Sequence, residues 1–104
     1  MAITLTMGTT ISAAVEETKR KNERSIYIVD NAGILVGAIS QGDIIRLDQF
    51  KGFVESIMQL NPVYVQEKDL HTALKLMKEN RFFEIPVVDK NYKFLRSLSI
   101  WELI

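Results

Sequence analysis

Apolar and polar positions along the chain change period in the same order twice. Ile3-Thr4-Leu5-Thr6 alternates and is β-branched, which predicts a short strand. Gly8-Thr9-Thr10 breaks the alternation and places Thr10 to cap a helix. Ile11, Ala14, Val15 and Thr18 then recur at helical spacing on one face, while Glu16, Glu17, Lys19 and Arg20 hold the other. Asn22-Glu23-Arg24 ends that helix. Ile26 to Val29 is apolar throughout, the pattern of a strand buried on both faces. Asp30-Asn31-Ala32-Gly33 predicts a hairpin turn, with Asn and Gly available for positive φ. Ile34 to Ile39 returns as a strand, and Gln41-Gly42-Asp43 opens a short helix through about Leu47.

Asp48 to Gly52 is the most linker-like stretch. Phe53, Val54, Ile57 and Met58 follow at helical spacing and predict a helix in contact between two halves, stopped by Asn61-Pro62 because a residue before proline resists the α conformation. From Pro62 the first half starts again. Val63-Tyr64-Val65 reads as a strand, and Asp69 as the cap of a helix bearing Leu70, Ala73, Leu74 and Met77 on one face. Glu84 to Val88 is the next strand, where Pro86 is tolerable only at the beginning or an edge. Asp89 to Tyr92 is the turn and Lys93 to Leu98 the last strand. The offset that carries Asp30 onto Asp89 also carries Ala14 onto Ala73, Ile26 onto Ile85, Val29 onto Val88 and Ser40 onto Ser99, without a gap. The chain therefore reads as two copies of β-α-β-β-α, residues 1–52 and 53–104, the second incomplete at its C-terminal helix. Each copy leaves an apolar sheet face that short helices cannot cover. The expected fold is α+β or α/β, with the two repeats packed sheet to sheet in pseudo-two-fold symmetry and clefts at their contact.

Composition narrows the function. Of 104 residues, 47% are hydrophobic and 25% charged, ordinary for a globular chain. Lys plus Arg and Asp plus Glu balance at 13 each, which argues against nucleic-acid binding through a basic surplus. The lack of cysteine removes disulfides and thiolate metal sites. No signal peptide or membrane span is read, so the expected compartment is the cytoplasm. His71 stands without a second ligand at metal spacing and reads as a surface residue. Neither a nucleophilic triad, a P-loop nor a dinucleotide glycine fingerprint is present, so catalysis by this chain alone is not expected.

The ordered set Ile28-Val29-Asp30, Gly37-Ala38-Ile39-Ser40-Gln41-Gly42-Asp43, Met58 to Val65 and Ile85-Pro86-Val87-Val88-Asp89 resembles a tandem pair of CBS (cystathionine-β-synthase-like) motifs, a Bateman module, over nearly the whole chain. The resemblance implies a cleft that binds adenosine nucleotides, AMP, ADP or ATP. It places Asp43 on the ribose hydroxyls, where one carboxylate can accept from two vicinal donors, and Ser40 beside the phosphate or ribose. Gly37 would leave room for close approach of backbone and ligand. Arg81 matches a phosphate-binding position. Its first-copy counterpart is Asn22, with Lys21 and Arg24 close by. Ser99 and Glu102 are the second-copy counterparts of Ser40 and Asp43, with Trp101 and Arg96 replacing Gly42 and Gly37, so the two sites are not expected to be equivalent.

Each of these residues also has a plainer reading. Ser40 and Asp43 suit a helix cap, Arg81 a helix end, Phe82-Phe83 packing at a corner, and Trp101 the core or a dimer contact. Phe50 and Phe53 suit a dimer interface. Two functions follow: a ligand-sensing regulatory module for an attached catalytic or transport domain, or a structural homodimerisation module with empty clefts. The wording from Gly37 to Arg46 is similar to N-terminal CBS pairs that precede sugar-phosphate nucleotidyltransferase domains.

Overall fold

Thr10 starts the first helix. In the computed structural model, which describes residues 2–104, its hydroxyl accepts a hydrogen bond from the Ala13 amide at 3.1 Å and α1 runs Ile11–Lys21. That bond satisfies one of the amides every helix N-terminus leaves unpaired. Lys19, Arg20 and Lys21 occupy the last turn, where the helix dipole favours cations. Asn22 closes α1 in the left-handed region, φ 54°, and donates its amide to the Thr18 carbonyl.

This helix carries the chain from β1 (Ile3–Thr6) to β2 (Ser25–Val29), which lie parallel, as a helical crossover allows. β2 then turns into β3 (Leu35–Ser40), its antiparallel neighbour. Asp30 Oδ1 accepts from the amides of Ala32 at 2.9 Å and Ile34 at 3.0 Å, and Gly33, not Asn31, takes the positive φ of 85°. α2 (Gln41–Ile45) follows β3 with no intervening loop. A fourth strand, β4 (Gln59–Leu60), pairs antiparallel with β3, giving the order β1-β2-β3-β4. Ile3, Ala14, Ile26, Ile28, Ile39 and Val54 form the buried core of this unit. Full burial of each isoleucine contributes about 1.5–3 kcal/mol.

The stripe from Phe53 to Met58 is not a helix between two halves. Only Val54–Ser56 makes a single 3-10 turn, Val54 is fully buried in the first core, and Ile57 and Met58 pack against it while Phe53 stays exposed. The reason is the open edge of β3: pairing Gln59 and Leu60 there requires extended chain, and it blunts an otherwise unpaired edge. The chain divides into one compact unit ending at Pro62 and a second running Val63–Ile104, so the sequence halves and the spatial units differ over 53–62.

The second unit contains β5 (Val65–Gln66), a 3-10 segment over Glu67–Thr72, α3 (Ala73–Asn80), β6 (Glu84–Val88), β7 (Phe94–Ser99) and a closing 3-10 turn, Ile100–Glu102. Its sheet has the order β5-β6-β7, parallel then antiparallel. Val65, Ala73, Met77, Ile85 and Val87 make its core. The repeat survives in detail. The β2–β3 register shifts between Ile28 and Val29, and the β6–β7 register between Val87 and Val88, at matching positions. Asp89 Oδ1 accepts from Asn91 and Lys93 as Asp30 does in the first turn, but Tyr92 holds the left-handed place of Gly33, φ 65°.

Five expectations change here. Asp69 does not cap α3. Its own backbone, φ −114° and ψ 25°, interrupts the helical run, and α3 begins after Thr72 with no side-chain cap bond. The strand expected over 63–65 is Val65–Gln66 instead. Pro86 is buried as the third residue of the central strand, β6, not at its start. It is tolerated because β5 reaches only Val87 and Val88, so nothing beside Pro86 on that edge asks for an amide proton. Trp101 lies outside the core, 70% exposed on the closing turn, and Phe82 and Phe83 are exposed as well. Among the described residues, no helix is long and apolar enough to cross a membrane.

Candidate functional site

The junction of β3 and α2 is built by a reciprocal pair of bonds. Ser40 Oγ accepts from the Asp43 amide at 3.2 Å, and Asp43 Oδ2 accepts from the Ser40 amide at 2.9 Å. This capping box holds the hydroxyl and the carboxylate side by side where strand becomes helix. Two further bonds tie the α1–β2 connection to the same corner. The Gln41 amide donates to the Arg24 carbonyl at 3.2 Å, and Gln41 Nε2 to the Glu23 carbonyl at 3.3 Å. Lys21, Asn22 and Arg24 are thereby kept at this end of the unit.

Asp43 has a second visitor. Gln59 Nε2, on β4, approaches both carboxylate oxygens at 3.3 and 3.4 Å. These long contacts leave lone pairs on a half-buried carboxylate that can accept hydroxyl donors. Gly37 sits behind the junction in the buried part of β3. The space a side chain would take there is filled by Met58, whose Cγ lies 2.8 Å and Cβ 3.1 Å from an added Cβ position, with Sδ nearer still. The structure thus supplies a packing reason for this glycine.

The second unit repeats the corner. Ser99 Oγ accepts from the Trp101 amide at 3.2 Å, and Glu102 Oε2 accepts from the Ser99 amide at 3.1 Å. The extra methylene of Glu102 does not prevent the bond that Asp43 makes. The Ile100 amide donates to the Phe83 carbonyl at 2.8 Å, which ties this corner to the α3–β6 connection. Arg81 opens that connection as the left-handed C-cap of α3, φ 59°, the counterpart of Asn22. Its exposed guanidinium has no hydrogen-bond or ion-pair partner among the described residues. Arg96, at the place matching Gly37, is held by Glu67 through contacts of 2.7 and 3.3 Å. The Glu67 hydrogen bonds push the pKa of Arg96 above the ordinary guanidinium value.

The residues singled out from the sequence therefore fall into two groups. Gly37, Ser40 and Asp43 meet at one corner of the first unit, and Arg81, Ser99 and Glu102 share one end of the second. Sequence reading missed Gln59 and Met58, since both act through the β3–β4 pairing, which leaves no local signal.

Comparison with known proteins gives a consistent match. The model of the CBS domain fits residues 2–49 and again 54–104. A homoserine O-acetyltransferase from Methanosphaera stadtmanae is 31% identical over 99 residues, covering 93% of this chain but only 20% of that enzyme. The CBS domain pair of protein MJ0100, solved with methylthioadenosine and S-adenosyl-L-methionine, is 30% identical with a TM-score of 0.80, covering 98% of this chain and 87% of that one. CBSX2, solved with AMP, is 26% identical with a TM-score of 0.83, covering 92% and 79%.

Proposed function

The chain belongs to the CBS domain family, and on that premise we propose that it is a cytoplasmic regulatory module that senses an adenosine-containing small molecule for an attached enzyme. The observation that carries the proposal is the Ser40–Asp43 corner: a hydroxyl and a carboxylate locked side by side by their own backbone bonds, with carboxylate lone pairs left over. A ribose offers two vicinal hydroxyls to such a carboxylate, and each charge-assisted bond is worth about 1.5–3 kcal/mol. Arg24 and Arg81 are the groups we assign to phosphate. Ser99 and Glu102 form the second, non-equivalent corner. AMP, ADP, ATP and S-adenosylmethionine are the ligands to try, in keeping with the AMP and S-adenosylmethionine of the similar structures. The ligand acts by binding one arrangement of the module better than another. For the attached enzyme we propose a sugar-phosphate nucleotidyltransferase, on the wording from Gly37 to Arg46.

Thermal unfolding with and without each ligand tests this. At about 100 times Kd a ligand stabilises by about 2.7 kcal/mol, a rise of roughly 10–20 °C for a chain of this size. The increment should vanish in Asp43→Ala, whatever that variant's own baseline. No rise with any of the four ligands removes the sensing role. The second reading, a homodimerisation module without ligand, is favoured by the exposed Phe50, Phe53 and Trp101. It requires that same silence together with a concentration-dependent dimer in sedimentation.

A further inference from the structure

A cavity of about 330 Å³ opens in the second unit, lined among others by Tyr64, Gln66, Asp69, Thr72, Leu76 and Tyr92. It lies beside the β6–β7 turn, whereas Ser99 pairs with Glu84 at the opposite end of that hairpin. We propose that this cavity is a binding site for a small organic cation, specifically a methylated ammonium group.

Three features of the site argue for that chemistry. The Tyr64 and Tyr92 rings meet edge to face at 88° with centroids 5.7 Å apart, an aromatic corner on the cavity wall. Ring faces attract a cation, and the face not covered by the partner's edge is available to an ammonium group. The carboxylate of Asp69 lines the same space and has no hydrogen-bond or ion-pair partner among the described residues, nor has the side-chain amide of Gln66. The carboxylate supplies the counter-charge, and Leu76 gives methyl groups an apolar contact. The backbone that carries this carboxylate is held in place. The kink at Asp69 interrupts the helical run, and Thr72 Oγ1 donates to the Asp69 carbonyl at 2.8 Å.

Tyr92 is the most informative member. Its φ of 65° is one that residues with a Cβ disfavour, and the matching turn of the first unit uses Gly33. The fold keeps an aromatic ring where the turn itself favours glycine. The same offset places Leu5 opposite Tyr64 and Thr10 opposite Asp69, so the first unit lacks both the corner and the charge. Partial burial, and then the neighbouring Tyr92, raise the pKa of the Tyr64 phenol above its ordinary value.

The test is an amide NMR titration of the chain with tetramethylammonium chloride, against sodium chloride at equal ionic strength and against neopentyl alcohol, a neutral water-soluble compound with the same branched methyl cluster. Saturable shifts are expected at Gln66, Asp69, Thr72 and Tyr92, with Kd in the range of roughly 1–50 mM. Asp69→Asn should weaken binding about fivefold or more, and Tyr92→Gly about two- to fivefold. Tyr92→Gly restores the glycine of the first turn, so misfolding does not confound it. Shifts that fail to saturate, equal binding of the neutral alcohol, or unchanged affinity in both variants would overturn the proposal. None of these outcomes depends on nucleotide binding at Asp43.

Discussion

Replacing Gly37 by alanine should destabilise the first unit through Met58. The new methyl would lie 2.8 Å from Met58 Cγ and 3.1 Å from its Cβ, inside ordinary contact distance, with the sulfur closer again. Met58 cannot retreat as a whole, because its amide is bonded to the Val54 carbonyl at 3.0 Å and the next two residues are paired with β3. Its side chain must leave or the strands must part. Overpacking of this kind costs about 1–3 kcal/mol. Against it stands the lower chain entropy of alanine in the unfolded state, worth about 0.4–1 kcal/mol. The clash wins, and the net loss is about 1–2 kcal/mol. In urea denaturation followed by far-UV circular dichroism, with a slope near 1–1.5 kcal/mol/M, the midpoint should fall by roughly 1 M. Met58→Ala alone also destabilises, by vacating part of the core. The double variant Gly37→Ala, Met58→Ala should recover at least about 1 kcal/mol relative to the sum of the two single losses, because the new methyl then occupies vacated space. A Gly37→Ala protein as stable as the parent, or a double variant that is simply additive, would refute the packing account.

Two further outcomes follow from backbone and titration. Arg81→Gly removes a Cβ from a left-handed helix cap and should raise stability by about 0.5–1 kcal/mol in the same denaturation assay, while weakening any ligand that carries a phosphate; a fall in stability would show that the Arg81 side chain holds the cap by other means. Tyr64, whose pKa is raised mainly by burial, should ionise later than a free tyrosine in a spectrophotometric alkaline titration. Because the folded value lies above the unfolded one, its contribution is intact below about pH 10 and is lost as pH climbs through the folded value. Tyr92→Phe should move the transition part of the way back.

What the sequence made legible was local. Thr10 as a cap, the Asp30 and Asp89 turns, the apolar run of β2 and the Ser40–Asp43 pairing are written in neighbouring residues, and short-range geometry enforces them. The duplication was legible because the offset from Asp30 to Asp89 needs no gap. The rest depended on partners distant in sequence. Met58 over Gly37 and Gln59 on Asp43 exist only because β4 joins β3. Pro86 breaks the edge rule because β5 is too short to challenge it, a property of its neighbour and not of the proline. Asp69 had the chemistry of a cap but not the backbone, and the position of Trp101 followed from a closing segment reduced to one turn.

The assignment of Val54–Leu60 to the first unit sets the folded boundary after the point where the second family match begins. That match opens at residue 54, yet Val54, Ile57 and Met58 still complete the first core, and the gapless repeat itself restarts only at Pro62. A crossover that swapped halves between relatives at Gly52 would graft a foreign wall onto that core. One placed after Pro62 would transplant each core whole.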